Sequence, residues 1–166
     1  MDAETLKTLQ APLKAKYQEN PEAAVITLKA SGELGSEQLV CSVETGKALV
    51  EAGLHPATGG DGTQACSGDM LLQALVACAG VTLAAVATAL EIDLKGGRVH
   101  AEGDLDFRGT LGVDKKVPVG FRDIRLSFDL DTDADGEKIA TLMKLTERYC
   151  VVYQTLISPP PVTVSY

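Results

Sequence analysis

The sequence contains no tryptophan, and its few tyrosines and phenylalanines bring the aromatic content to only 4% of 166 residues. It also has no run of basic residues, and its formal net charge is −8. Nucleic-acid binding needs cations to neutralise phosphates and rings to stack on bases, so this composition argues against a nucleic-acid partner. The same negative charge disfavours an anionic membrane surface. We expect the acidic residues to form a solvated surface.

A secretory signal would show a basic start followed by an apolar stretch, and the first residues show neither. We therefore expect a cytoplasmic protein. One uncharged run, from Met70 to Leu90, is long enough to span a bilayer. Its many alanines and its acidic flanks, Asp69 and Glu91, favour the central buried helix of a soluble protein over a membrane span.

Metal and cofactor chemistry has little support in the sequence. The two histidines, His55 and His100, stand far apart, and the four cysteines contain no CxxC pair. The glycine-rich segment 55–63 has neither of the phosphate-binding spacings GxGxxG and GxxxxGK[ST], so we expect a flexible connector there. We expect no metal and no cofactor. In a reducing compartment, each cysteine is then either a small buried hydrophobe or a functional thiol.

The residue pattern predicts an α+β domain, beginning with a helix and a hairpin. The first twenty residues have a helical composition, and Pro12 is expected to break that helix or to start a second one. Residues 23–30 and 38–43 alternate like the two strands of a hairpin. Residues 45–52 fit either a strand or a short helix.

The rest of the chain adds two helices, a second hairpin and a closing strand. A long helix is predicted from near Ser67 to Leu90, and residues 99–108 and 123–130 alternate like antiparallel strands with one wet face. Val162 to Tyr166 is predicted to be a short edge strand. A second helix places one face toward the core through Ile139, Leu142, Met143, Thr146, Tyr149 and Cys150.

Cysteine is the residue type in this chain that points to chemistry. Cys78 lies midway along the long apolar helix, and Cys150 ends the second helix. Spacing alone favours a buried, inert Cys78, but both helices must pack on one core, which allows the two thiols to meet. We expect Cys41 to be structural and Cys66, just before the long helix, to be exposed.

Two segments around these cysteines resemble a known family. Ser67-Gly68-Asp69-Met70-Leu71-Leu72-Gln73-Ala74-Leu75-Val76-Ala77-Cys78 is similar to the acidic residue, Leu-Leu pair, small residues and cysteine of the OsmC/Ohr family, which contains osmotically inducible protein C and the organic hydroperoxide resistance proteins. Glu147-Arg148-Tyr149-Cys150 resembles the second cysteine motif, although Val151 stands where Pro or Ser is common. The resemblance covers residues 22–166 of a single domain, and residues 1–21 form an N-terminal helical extension.

The resemblance implies an antiparallel sheet wrapped against two central apolar helices in an intertwined homodimer. It also implies a thiol-dependent peroxidase of oxidative and osmotic stress defence that reduces organic hydroperoxides. Cys78 would attack the peroxide and become a sulfenic acid, Cys150 would resolve it as a disulfide, and a thiol or dithiol reductant would restore both. One alternative is a non-catalytic member that binds a small apolar ligand at the dimer interface. Another is a structural dimer with inert thiols.

Activation of Cys78 needs an explanation, because attack requires the thiolate and burial raises the pKa of a thiol. Cys78 also lies too far along its helix to feel the dipole at the helix start. Strong peroxidases of the family place an Arg from the N-terminal half beside this cysteine and hold it with a Glu, but this chain has no Arg before Arg98. Asp69, near the Glu position, is a candidate supporting residue. The candidate cations are Lys47, His55 and Arg148.

Overall fold

The computed structural model describes residues 2–20, 32–34, 40–44 and 49–166. The chain divides into two compact units. The first contains Met1–Ile26, Ala74–His100 and Ser127–Tyr166, and the second contains Thr27–Gln73 and Ala101–Leu126. The mixture of helices and mainly antiparallel strands confirms the predicted α+β class. The predicted strand at residues 23–30 lies outside the described residues, and a single domain stays a prediction.

The N-terminal helix α1 spans Ala3–Glu19 and continues through Pro12, so the predicted break at Pro12 is wrong. Asp2 starts the helix, because its carboxylate accepts a 2.7 Å hydrogen bond from the backbone N–H of Thr5. Proline removes one helical hydrogen bond and leaves the carbonyl of Thr8 without its donor. Thr8 is exposed, so water can bond that carbonyl and the helix tolerates the proline.

The second unit contains a four-stranded sheet. Its strands, in spatial order, are β1 (Gly32–Leu34), β2 (Val40–Glu44), β3 (Leu49–Gly53) and β4 (Ala65–Cys66). The β1–β2 and β2–β3 pairs are antiparallel and the β3–β4 pair is parallel. The predicted strand at 38–43 is confirmed as β2 where it is described. The ambiguous segment 45–52 contains strand β3 from Leu49 onward.

The glycine-rich segment between β3 and β4, which we expected to be a flexible connector, contains a hydrogen-bonded turn. A 3-10 turn spans Pro56–Thr58, and the Nδ1 atom of His55 accepts a 3.0 Å hydrogen bond from the backbone N–H of Ala57. The His55 ring also stacks on the ring of Phe107, with centroids 4.9 Å apart. Gly59 closes the turn in the left-handed region with φ of 93°, which favours glycine.

The second sheet pairs the long strands β5 (Gly96–Asp104) and β6 (Asp123–Asp131), as predicted. The prediction that the first strand continues to residue 108 is wrong, because the Asp106 carboxylate caps a short helix that begins at Phe107. Every second residue of β6 is exposed, which confirms a half-buried strand. Charged side chains pair across the wet face. The guanidinium of Arg125 donates hydrogen bonds of 2.6 and 2.9 Å to the carboxylate of Asp104. The Nε2 atom of His100 lies 3.2 Å from the Oδ2 atom of Asp129. A short helix α3 (Phe107–Thr110) lies in the connection between the two strands.

The main core of the first unit joins two helices and β6. Helix α2 spans Ser67–Ala89 and helix α4 spans Gly136–Tyr149, both close to their predicted ranges. Leu83 and Ala87 of α2 pack in one buried cluster with Ile92 and with Leu142 of α4. The cluster is extended by half-buried side chains, including those of Phe128 and Leu130 on β6.

The C-terminal segment departs from prediction in three ways. A seven-residue helix α5 (Val151–Ile157) follows α4 directly and was not expected. Tyr149, assigned to the core face of α4, is 58% exposed. Val162–Tyr166, predicted to be an edge strand, joins no strand within the described part of the chain, and Val162 and Val164 are exposed. A strand needs a neighbour to bond, and alternation in a sequence does not supply one.

Candidate active site at Cys78 and Cys150

Helix α2 places Cys78 on the border of its buried face. The fully buried residues Leu75, Ala79, Leu83 and Ala87 recur every fourth position and define that face. Cys78 adjoins this stripe and is half-buried with a free thiol. The residue is therefore partly exposed and still has packed apolar neighbours on its helix.

The helix is apolar well beyond its buried stripe. Of the described residues, only those of α2 form a helix long and apolar enough to cross a membrane by length and composition, and 28% of its most apolar window is buried. The core helix of a soluble protein meets the same criterion. Val81, on the side away from the core, is 73% exposed.

Cys150 lies at the junction between α4 and α5. This residue ends α4, with its N–H bonded to the carbonyl of Thr146 at 2.9 Å, and it also precedes the first residue of α5. Its thiol is free, and the residue is only 1% exposed. The first N–H groups of any helix lack partners within that helix. At α5 these are the N–H groups of Val151 and Val152, next to the cysteine.

The Cys78 and Cys150 thiols are close enough for each to affect the pKa of the other. Burial alone would raise the pKa of the Cys78 thiol, but several hydrogen bonds to its sulfur together lower that pKa below its ordinary value of 9.0. The donors are the backbone N–H of Val152, the Cys150 thiol, the backbone N–H of Val151 and the Thr82 hydroxyl. Hydrogen bonds to the charged form of an acid favour that form. The site therefore stabilises the Cys78 thiolate.

Cys150 ionises less readily than a free thiol. Burial raises its pKa, and a hydrogen bond from the backbone N–H of Tyr153 only partly opposes this effect. The hydrogen bond that Cys150 donates to Cys78, and the charge on that sulfur, raise the pKa of Cys150 further. The site thus lowers the pKa of one thiol and raises that of the other.

The donors that lower the pKa of Cys78 are uncharged, which differs from the expected nearby cation. Arg148 extends over the ring of Tyr149, 5.7 Å from its centroid. His55 belongs to the second compact unit and stacks on Phe107. Lys47 lies outside the described residues. The groups that lower the pKa of Cys78 include backbone N–H groups at the start of α5, a helix that the sequence did not predict, and Thr82.

The remaining predicted residues stand apart from this thiol pair. Asp69 is exposed in the first turn of α2, about two and a half turns before Cys78, so the two side chains do not touch. Cys66 ends β4 as a free, half-buried thiol rather than an exposed one. The side chain of Cys41 is not among those described.

The sequence analysis missed the two groups that complete the site. Val151, Val152 and Tyr153 are β-branched and aromatic residues, which favour strands, so the sequence concealed the helix start that supplies their N–H groups. Thr82 was treated only as a polar residue in an apolar helix. Its spacing of four from Cys78 is the feature that could have identified it.

Solved structures with this fold are OsmC-type α+β proteins. The crystal structure of an OsmC-like protein from Mycoplasma pneumoniae matches with a TM-score of 0.67 and 16% identity, covering 81% of this chain and 89% of that one. An organic hydroperoxide resistance protein from Elizabethkingia anophelis matches with a TM-score of 0.64 and 14% identity, covering 81% and 91%. An organic hydroperoxide resistance protein OsmC from Legionella pneumophila matches with a TM-score of 0.62 and 16% identity, covering 81% of this chain and 91% of that one.

The sequence itself matches the family described as OsmC-like protein over residues 60–165. The chain therefore belongs to the OsmC-like protein family, and the resemblance inferred from the two cysteine motifs is confirmed. Both Cys78 and Cys150 lie inside the matched segment. No functionally curated protein has a sequence that matches this chain significantly.

Proposed function

We propose that this protein is a thiol-dependent peroxidase of peroxide-stress defence that reduces organic hydroperoxides with Cys78 and Cys150. The observation that carries the proposal is the hydrogen-bonded thiol pair, in which the pKa of Cys78 is lowered and that of Cys150 is raised. Thiol peroxidases need one sulfur that is ionised for attack and a second that remains a thiol until it is needed. The opposite directions of the two pKa shifts agree with this division of roles.

In the first step the Cys78 thiolate attacks one peroxide oxygen. A sulfur–oxygen bond forms and the oxygen–oxygen bond breaks, and the departing alkoxide takes a proton from water and leaves as an alcohol. Cys78 is oxidised to a sulfenic acid and the hydroperoxide is reduced by two electrons. The uncharged donors at the sulfur lower the pKa of Cys78 and so favour the thiolate that this attack needs.

In the second step Cys150 resolves the sulfenic acid. Its sulfur forms a bond with the Cys78 sulfur, the sulfur–oxygen bond breaks, and the hydroxide leaves as water with the Cys150 proton. The two residues already share a hydrogen bond, so little movement is needed. A thiol or dithiol reductant then returns two electrons and two protons by exchange and restores both cysteines.

An organic hydroperoxide is the proposed substrate class because the surroundings of Cys78 are apolar. Cys78 lies in an apolar stretch of α2 that extends beyond the buried side chains of the helix. An alkyl or aryl peroxide gains from contact with such a surface, whereas hydrogen peroxide does not. Two of the structural relatives are described as organic hydroperoxide resistance proteins, which agrees with this substrate class.

The proposal includes a homodimer and a cytoplasmic location. The outer side of α2 carries the apolar side chain of Val81, which is 73% exposed. The tail Val162–Tyr166 has the alternation of a strand and exposed valines. Both features suit contact with a second copy of the chain, because an apolar helix face and an unpaired strand each gain from a partner. A reducing cytoplasm would keep the described thiols free.

The test uses the reduced full-length protein with one equivalent of cumene hydroperoxide. The expected result is loss of the peroxide and a Cys78–Cys150 disulfide in peptide mass spectra. Cys78→Ser should consume no peroxide. Cys150→Ser should stop at a Cys78 sulfenic acid that dimedone traps. Cys66→Ser is the matched control and should behave like the parent protein.

Hydrogen peroxide at the same concentration should react more slowly than cumene hydroperoxide. An unchanged peroxide concentration and two unmodified thiols would overturn the proposal and favour a non-catalytic, ligand-binding protein. A disulfide that involves Cys66 in place of Cys150 would overturn the assignment of the resolving residue.

A further inference from the structure

Cys150 is the single residue between two helices, and its backbone bonds both of them. Its N–H donates to the carbonyl of Thr146 on α4, and its carbonyl accepts from the N–H of Gln154 on α5, each at 2.9 Å. Its backbone is extended, with φ of −73° and ψ of 107°, which interrupts the helical path between α4 and α5. The direction of α5 therefore depends on the backbone of one residue, and that residue carries a thiol.

A side-chain hydrogen bond also joins the two helices. The Nε2 atom of Gln154 donates to the carbonyl of Glu147 at 2.8 Å, between residues seven positions apart in the chain. The last carbonyls of a helix lack partners within that helix, because no further turn supplies N–H groups to them. In a helix that continued through Cys150, the Glu147 carbonyl would accept from the N–H of Val151, four residues later. The Gln154 amide takes the place of that N–H.

This hydrogen bond favours the bent junction over a straight one. If α4 and α5 joined into one continuous helix, the Glu147 carbonyl would bond the Val151 N–H, and the Cys150 side chain would change its direction. The N–H groups of Val151 and Val152 would then leave the thiol site, where they help to lower the pKa of Cys78. A side-chain donor that satisfies the carbonyl by another route removes this competition.

A neighbouring side chain of α5 makes a similar hydrogen bond that does not cross the junction. The Thr155 hydroxyl donates to the carbonyl of Val151 at 2.8 Å, and both residues belong to α5. The bond from Gln154 to Glu147 has the same length but connects α5 to α4. The two bonds can therefore be removed separately, which distinguishes an effect on the junction from an effect on α5 itself.

We propose that Gln154 is a positioning residue that holds the bent α4–α5 junction and so keeps Cys150 in place to form a disulfide with Cys78. Its amide acts through the Glu147 carbonyl, at the end of α4. This inference rests on the proposed function for the role of the disulfide, but it does not require a peroxide as the oxidant. A junction that is free to straighten would present Cys150 to Cys78 for a smaller fraction of the time, which lowers the effective concentration of one thiol toward the other.

The test measures the equilibrium of the full-length protein with reduced and oxidised glutathione, without peroxide. Oxidised glutathione takes two electrons and two protons from the cysteine pair, so one protein disulfide forms and two molecules of reduced glutathione are released. Peptide mass spectrometry gives the fraction of protein with the Cys78–Cys150 disulfide. Gln154→Met keeps the length of the side chain and removes the donor. Its equilibrium constant for disulfide formation should fall about fivefold, since the net contribution of one hydrogen bond changes an equilibrium by roughly two- to tenfold.

Thr155→Val is the matched control, because it removes a hydrogen bond of equal length inside α5, and its equilibrium constant should equal that of the parent protein. An unchanged constant in Gln154→Met would overturn the proposal. An equal fall in Thr155→Val would also overturn it, because the effect would then belong to the stability of α5 and not to the junction. A parent protein that forms no Cys78–Cys150 disulfide with glutathione would overturn it as well.

The same variants separate this inference from the proposed function. A lowered constant in Gln154→Met, together with a parent protein that consumes no cumene hydroperoxide, supports the role of Gln154 and overturns the peroxidase. An unchanged constant, together with a normal disulfide after cumene hydroperoxide, overturns the role of Gln154 and supports the peroxidase.

Discussion

The Cys150 thiol donates a hydrogen bond to the Cys78 sulfur, so each cysteine alters the ionisation of the other in the opposite direction. The bond lowers the pKa of the acceptor and raises that of the donor. This relationship gives two chemically identical side chains different roles without a metal or a charged residue among the donors that lower the pKa of Cys78.

The first prediction concerns the pH dependence of stability. The folded pKa of Cys78 lies below its ordinary value of 9.0, so between those values the unfolded chain binds more protons than the folded one. The stabilisation from Cys78 should therefore grow as pH rises toward 9.0, and it should be lost as pH falls through the folded pKa. Cys150 behaves oppositely, because its stabilisation is present below 9.0 and is lost as pH rises through its raised folded pKa.

Urea unfolding of the reduced parent protein and of Cys78→Ser, between about pH 7 and 9, measures this effect. The free-energy gap between the two proteins should widen with pH. Protein concentration is kept constant throughout, since association also affects apparent stability. A gap that stays constant across the range would contradict the assigned shift of Cys78.

The second prediction concerns the exposed side of α2. Val81→Glu places a charge in the proposed contact between two copies, where burial of an unpaired charge is costly. We expect its mass by light scattering to fall to that of a monomer while the parent protein is a dimer. Val113→Glu is the matched control, because Val113 is 72% exposed and Val81 is 73% exposed. A monomeric parent protein, or equal dissociation of both variants, would refute the proposed interface.

The third prediction concerns the buried cluster that contains Leu142. Leu142 is fully buried and packs against Leu83, Ala87 and Ile92. Leu142→Ala should lower the free energy of unfolding by roughly 2–5 kcal/mol through lost burial and a cavity. Leu111→Ala, at a 56% exposed position, should change it by no more than about 0.5 kcal/mol. Equal effects of the two substitutions in chemical denaturation would show that this cluster is not the core.

The fourth prediction concerns the turn after β3. A Cβ atom on Gly60 would lie 1.7 Å from the carbonyl oxygen of Leu54, so alanine at this position must displace the backbone. We expect Gly60→Ala to lower stability by about 1–3 kcal/mol and to change the His55 ring resonances in NMR spectra, because the His55–Phe107 stack depends on this turn. Gly120→Ala has open space for its Cβ atom and should change neither measurement. Unaltered His55 resonances in Gly60→Ala would count against the described turn.

The sequence was most informative where the pattern was long and regular. The uncharged run beginning at Met70 predicted α2 almost to its ends, and strict alternation predicted β5 and β6. The two cysteine motifs led to the correct family because they combine residue type with separation. These features depend on local periodicity and on side-chain chemistry, both of which are visible in a sequence.

The sequence was least informative where a role depended on the backbone or on a partner strand. The N–H groups of Val151 and Val152 reach Cys78 because a helix begins there, whereas β-branched residues suggest a strand. The search for a cation therefore considered side chains such as Arg148, which lies over Tyr149 instead. The strand predicted at Val162–Tyr166 has suitable residues but no neighbour within the described chain.

The groups around the Cys78 sulfur are dipoles fixed in the polypeptide, and dissolved salt screens free charges far more than it screens contacts of this kind. A nucleophile held by a guanidinium or an ammonium group would lose part of its activation as ionic strength rises. Here the pKa of the Cys78 thiol should be nearly the same in dilute buffer and in concentrated electrolyte, so a change in salt concentration alone should not alter how readily this thiol ionises.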